Sequence, residues 1–354
     1  MTDKALPASK RFSLGKIGSS YVLRSLVASL ITIWLTTTFT FFLIRLLPSN
    51  PVQLYIDELM QRNDMSFEEA RARASAMFTT DFNAPVIQQY LTYLGNIVRG
   101  NLGESLRSTG TPVTEIIAAF LPWTLFSVGL GLLTSFVVGL FFGLLTAYFR
   151  NSIFDVALTT LASFLSAVPN YLIAILIVVV LGTQLHLFSV GEMRGAYSAS
   201  AQPGFSLDFL LDVLKHAILP VATYFLATFG QWLLIMKNNT LAILGEEYVN
   251  MAVARGLRRG RVITAYVGRN ASLPLVARLA LTIGIAVSGS VVIEYYFVYP
   301  GIGQRLTTAI NERDYTVVQG IFLMLTISVV AANFLTDFAY ERLDPRVRLG
   351  GSKS

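Results

Sequence analysis

The chain holds little that could make or break a covalent bond. Its two histidines, His186 and His216, stand far apart without ligand-like spacing, and cysteine is absent, which excludes thiolate catalysis and cysteine-based metal binding. No G-x-x-x-x-G-K-[ST] phosphate loop is present. The terminal Gly350-Gly351-Ser352-Lys353-Ser354 lacks that order, and Gly301-Ile302-Gly303 lacks both a third glycine and a βαβ setting. Catalytic, cofactor-binding and metal-binding residues are therefore all assigned as none. The residues that do form a dense pattern lie at 237–272. Glu246, Glu247 and Tyr248 are followed by Ala252 and Ala254, then Arg255, Gly256 and Leu257, with Arg258, Arg259, Arg261 and Arg269 beyond. This spacing predicts a short helix ending at Gly256 in a left-handed cap, with cations where the helix dipole favours them. Such a helix, small-faced and exposed to water, can dock into a groove of another protein. A basic amphipathic helix resting on anionic lipid is the alternative.

The elements that must position this segment are apolar. Of 354 residues, 54% are hydrophobic and only 14% charged, with a mean hydropathy of +0.59. A soluble domain carries about 25% charged residues, so a surface wetted on every side is excluded, as is disorder. Windows free of Asp, Glu, Lys and Arg occur at 25–44, 116–149, 156–191, 216–236 and 315–336, and a further apolar stretch at 273–293 is broken once, by Arg278. A bilayer core needs roughly 20 apolar residues in a helix, so six transmembrane helices are expected. Their continuity argues against barrel strands. The predicted fold class is all-α and polytopic.

Lysine and arginine set the orientation. With the N-terminus inside, the cytoplasmic set includes Lys10, Arg11, Arg24, Arg150, Lys237, the arginines at 255–269 and those at 342–348, and the longer outer segments hold fewer. Both termini are expected in the cytoplasm, and the net charge of +6 is a topology signal rather than one for nucleic acid. The resulting division is a cytoplasmic tail (1–21), a first helix (22–47), a large extracytoplasmic segment with short helices (48–120), a core of five further helices (121–348) and a tail (349–354). The core contains the cytoplasmic loop 237–272. In the outer segment, Ser66 and Glu69 form a capping-box pattern ahead of a helix, and 87–98 fits an amphipathic helix lying on the membrane surface. Residues 183–215 read as a loop, and 299–303 as a turn.

Within the spans, Pro169 and Asn170 mark a kink that either lines a pathway or gate or serves packing. Arg278 either snorkels to the inner boundary or faces the pore or bundle. Gly129, Gly131, Gly139 and Gly143 fall at close-packing spacing.

The 237–272 segment resembles the cytoplasmic "EAA" loop of permease subunits in binding-protein-dependent ABC importers, in the form found in dipeptide, oligopeptide and nickel permeases. The likeness rests on Glu247-Tyr248-Val249, on Ala252 to Leu257, and on Arg269-Asn270-Ala271 with Pro274. It extends to 91–105, to Val298-Tyr299-Pro300-Gly301-Ile302-Gly303, to 313–320 and to 343–348. The helix near Ser66 is less typical of peptide permeases. This resemblance implies a type I importer permease fold in a prokaryotic inner membrane, forming half of a pathway for peptides. It also implies a homologous second permease as heterodimer partner, two ATPase subunits on the cytoplasmic face and an extracytoplasmic binding protein. Glu246 to Leu257 would couple to an ATPase. Oligosaccharides or nickel chelates are alternative cargoes, and an autonomous channel or secondary transporter is the alternative class.

Overall fold

The computed structural model describes residues 15–46, 51–63, 65–77, 84–108, 110–189 and 191–343. Most of the N-terminal tail, the C-terminal tail and the 344–348 motif residues lie outside the described residues. Among the described residues every regular element is helical: α1 (Gly15–Arg45), α2 (Pro51–Asn63), α3 (Phe67–Met77), α4 (Val86–Val98), α5 (Val113–Tyr148), α6 (Ile153–Ala167), α7 (Asn170–Leu176), α8 (Leu207–Leu244), α9 (Glu247–Ala254), α10 (Arg259–Arg261), α11 (Arg269–Gly289), α12 (Val291–Phe297), α13 (Ile302–Asn311) and α14 (Tyr315–Leu343). Wider π turns extend α7 through Ile177–Gln184 and join α10 to α11 through Val262–Gly268.

Among the described residues, five helices are long and apolar enough to cross a bilayer: Leu23–Ile44, Val113–Tyr148, Leu207–Leu244, Arg259–Ser288 and Tyr315–Thr336. A sixth crossing exists if α6 and the α7 segment count as one span, but that pair is bent by 103°. The third apolar window is thus not one kinked helix. Val168 takes an extended conformation (φ −81°, ψ 124°), as the residue before a proline prefers, and Pro169 opens α7 at its N-cap.

Close backbone approach builds the bundle. A Cβ added at Gly131, Gly139 or Gly143 of α5 would lie within 2.6 Å of Tyr224, Trp232, or Leu233 and Met236 of α8. These three glycines pack α5 on α8, as their spacing predicts, whereas Gly129 meets nothing within 4 Å. Gly230 approaches the Ala162 carbonyl of α6, and Gly284 of α11 approaches Ala332 of α14. Lys237 and Asp155 then close the α6–α8 contact with an ion pair of 2.5 Å, and Thr159 accepts from the same ammonium at 2.9 Å.

Several boundaries differ from the charge-free windows. Helix α8 begins at Leu207, because Ser206 caps it and the Asp212 carboxylate is held by the backbone N–H and hydroxyl of Ser198. His216 is buried and its Nδ1 lies 2.8 Å from the Asp212 carbonyl, a packed helix residue. Much of 237–272 is helix rather than loop, since α8 runs on to Leu244 and a helix resumes at Arg259. Two helices, α12 and α13, flank the turn at Tyr299-Pro300-Gly301.

Between α1 and α5, α2 and α3 form a small hairpin around Tyr55, Ile56, Leu59, Ala70, Ala74 and Leu106. The capping box forms as expected: the Ser66 N–H donates to Glu69 (3.0 Å) and the Glu69 N–H donates to Ser66 Oγ (3.3 Å). These bonds to the ionised form hold the Glu69 carboxyl below its usual range. Arg107 ties the hairpin to the core, donating to Glu58 at 2.8 Å and to the Glu312 carbonyl at 2.7 Å.

Candidate functional site: the α9 segment

Helix α9 is short, and its C-terminus carries much of its definition. The Gly256 N–H donates to the Val253 carbonyl (2.9 Å) and the Leu257 N–H to the Ala252 carbonyl (3.4 Å), with Gly256 at φ +76°. This pair of bonds is the Schellman motif, and a left-handed glycine is what it requires. Leu257 turns back onto a core made by Val249 and Ala252 of α9 with Val262 and Val267, flanked by Ile243, Leu244 and Tyr266. The end of α8, α9 and the start of the returning helix therefore share one apolar centre.

Polar bonds fix the same geometry. The Asn270 amide donates to the Tyr248 hydroxyl at 3.1 Å and to the Tyr266 carbonyl at 2.7 Å. The Asn239 amide donates to the Ala271 carbonyl at 3.1 Å, joining α8 to α11. Both halves of the sequence pattern, the Glu-Tyr-Val turn and the Arg-Asn-Ala turn, meet here.

What remains exposed is a graded surface. Glu246 and Glu247 lie at the N-terminal end, which favours acidic side chains. Tyr248, Met251 and Val253 expose apolar surface, and Ala254, Arg255, Gly256, Arg258, Arg259 and Arg261 are exposed beyond them. Ala252 is buried at 3%, so its small size serves the internal core, not an outward face. Leu257 is half-buried for the same reason.

The intramembrane candidates lie elsewhere. Pro169 and Asn170 are exposed at the 103° break between α6 and α7. Arg278 is exposed on α11, at the surface of this chain and not enclosed by it.

At the opposite end of the bundle two buried carboxylates organise the connections, and sequence reading missed both. Glu294, fully buried and outside the long spans, accepts from Thr124 Oγ1 (2.7 Å) and from the N–H groups of Gly303 (2.7 Å) and Gln304 (3.3 Å). Thr124 in turn accepts from the Ile302 N–H at 2.8 Å. Glu294 thus holds the N-terminus of α13, and Gly301 admits the carboxylate where any Cβ would lie 2.2 Å from it. Burial pushes the Glu294 carboxyl above its ordinary range, opposed by these hydrogen bonds. Asp314 is likewise buried; it accepts from Ser105 Oγ and, at 3.2 Å, from the Leu106 N–H, and it caps α14 at Val317. The motif stretches 91–105, 298–303 and 313–320 therefore converge, and Gly103 and Gly320 sit against Thr316 and Val113 respectively.

Fold and segment define a polytopic α-helical membrane protein with a structured helix–turn, α9, between two of its long helices. The chain belongs to the family of binding-protein-dependent transport system inner membrane components, whose model matches residues 139–349. Among its relatives, a peptide permease protein of Brucella suis, itself named as putative, is 32% identical over 330 residues, covering 93% of this chain and 99% of the relative. A di/tripeptide transport system permease protein of Pseudomonas aeruginosa is 32% identical over 342 residues, covering 93% and 98%. An oligopeptide transport system permease protein of Bacillus subtilis is 29% identical over 330 residues, covering 93% and 99%.

Proposed function

We propose that this chain is a permease subunit of an ATP-driven importer and forms half of a translocation pathway for di- or oligopeptides. The α9 end of the bundle and both termini face the cytoplasm of a prokaryotic cell, and the opposite end faces the extracytoplasmic binding protein that delivers cargo. A homologous second permease completes the pathway as a heterodimer, and each permease meets one of two ATP-hydrolysing subunits.

The observation that carries this reading is the rigid attachment of α9 to two spans. Its inner face is embedded between the end of α8 and the start of the α10–α11 helix, and its outer face is free. A partner that seizes Tyr248, Met251 and Val253 moves those spans with it. Rocking of helical bundles between two arrangements then exposes a site to one side or the other. ATP supplies the bias through differential binding to the closed ATPase pair, and this chain contributes transmission rather than hydrolysis. Peptide as the cargo follows the names of relatives that match almost end to end.

The test is reconstitution of this chain with its second permease, ATPases and binding protein in liposomes. Uptake of a labelled peptide that requires both binding protein and ATP supports the proposal. Uptake by this chain alone without ATP contradicts the transport class, and an oligosaccharide or nickel chelate recovered from the binding protein by mass spectrometry contradicts the cargo.

A further inference from the structure

Helix α4 has two apolar faces, and among the described residues only one is covered. Tyr90 and Tyr93 pack on Phe41 of α1 with ring centroids 5.3 and 5.2 Å apart, and the Tyr90 hydroxyl lies 2.7 Å from Thr38 Oγ1. On another side of the helix, Ile87, Leu91, Leu94 and Val98 recur at i, i+4, i+7 and i+11, which is one helical stripe. Ile87, Leu91 and Val98 are 63%, 61% and 87% exposed. Gln88, Thr92 and Arg99 occupy the remaining, polar side and are exposed as well.

The contact with α1 fixes where that stripe sits. Thr38 and Phe41 belong to the span Leu23–Ile44, and Thr38 lies about 9 Å below its outer end at the helical rise per residue. Helix α4 therefore runs beside the last turns of a membrane-spanning helix, at the depth where interfacial helices bury their apolar faces. Within the same last turns of α1, Phe39 and Leu43 are exposed and apolar as well. Two tyrosines at the boundary fit the aromatic belt found there.

We infer that the Ile87–Leu91–Leu94–Val98 stripe is occupied by lipid acyl chains of the leaflet at that end. Helix α4 is then an interfacial anchor, pinned to α1 on one side and to the bilayer on the other. This inference goes beyond the proposed transport function and needs only that α1 crosses the membrane.

Because the chain has no cysteine, single spin labels can be placed at Ile87→Cys, Leu91→Cys, Gln88→Cys and Thr92→Cys in the assembled transporter, its other subunits lacking reactive cysteines. Collision rates with oxygen and with a water-soluble nickel chelate are then measured in lipid nanodiscs. The lipid assignment predicts labels at 87 and 91 that meet oxygen several-fold more readily than the chelate, with the reverse at 88 and 92. Adding binding protein should leave positions 87 and 91 unchanged. Preferential collision of 87 and 91 with the chelate overturns the inference, as does shielding from both probes or loss of oxygen access on adding binding protein. The last two outcomes would assign the stripe to a protein partner. Quenching of a Leu91→Trp variant by brominated lipid gives the same answer without a label.

Discussion

Asn270 donates its side-chain amide to the Tyr248 hydroxyl across 3.1 Å, so the first turn of α9 is bonded to the helix that returns through the membrane. Tyr248→Phe removes this bond and leaves Asn270 its second acceptor, the Tyr266 carbonyl. The stability cost should be small, about 1 kcal/mol for one partly exposed hydrogen bond. Coupling should suffer more than folding: peptide uptake per ATP hydrolysed is expected to fall while membrane insertion and yield stay normal.

Gly256 faces open space yet sits at φ +76°. A substitution there is penalised by backbone conformation and not by a clash, at about 1–2 kcal/mol for a residue with a Cβ. Asparagine tolerates the left-handed region better than alanine. Gly256→Asn should therefore retain more transport than Gly256→Ala, read as uptake rates at matched expression. Equal activity of both variants with wild type would remove the role assigned to this cap.

Glu294 gives a prediction with a pH sign. Glu294→Ala leaves the Thr124 hydroxyl and the Gly303 and Gln304 N–H groups without their acceptor, and unsatisfied buried donors cost about 1–3 kcal/mol each. Glu294→Gln should lose much less. Burial raises the folded-state carboxyl above its unfolded value, so the folded state binds the proton more tightly. The associated stability is fully present below the unfolded value and is lost as pH rises through the folded one. Thermal unfolding of the purified protein in detergent should show that component fall with rising pH in wild type and vanish in Glu294→Gln.

The sequence was most legible where its signals were local. Ser66 with Glu69 and the glycine after Ala254 each work through backbone groups a few residues away, so spacing alone predicts the capping box and the left-handed cap. Apolar windows located the spans for a similar reason, since the bilayer imposes the same length on each. What could not be read were bonds that join distant parts of the chain. Glu294 meets Thr124, and Asp314 meets Ser105, across sequence separations of 170 and 209 residues. Nothing near Glu294 marks it as buried, because its acceptors are filled by the end of another helix. Pro169 reads in the sequence as a kink within one span, whereas α6 and α7 meet at 103°, α6 seated against Gly230 of α8 and Ile173 and Ala174 of α7 in the main core. Ala252 misled in the opposite direction: a small residue fits a docking face and a tight internal contact equally well, and only the fold separates them.

Lys237 and Asp155 supply a separate test of packing at the α9 end. The pair is largely enclosed, with side chains 15% and 9% exposed. Lys237→Met strands the carboxylate with only Asn151 N–H and the Thr159 hydroxyl, and breaking such a pair typically costs about 3 kcal/mol or more. Adding Asp155→Asn should recover part of that loss. A double-mutant cycle by thermal unfolding measures the coupling, and strict additivity would show that the contact contributes nothing.

The most direct measurement concerns the outward face of α9. Single cysteines at Met251, Val253 and Ala252 in this cysteine-free chain, each combined with a cysteine in the ATPase cleft, can be crosslinked in the assembled transporter. Docking of α9 predicts efficient crosslinks from 251 and 253, weak ones from the buried 252, and yields that change when ATP closes the ATPase pair. Absence of any crosslink from 251 and 253, in a complex that still transports peptide, would contradict the coupling role.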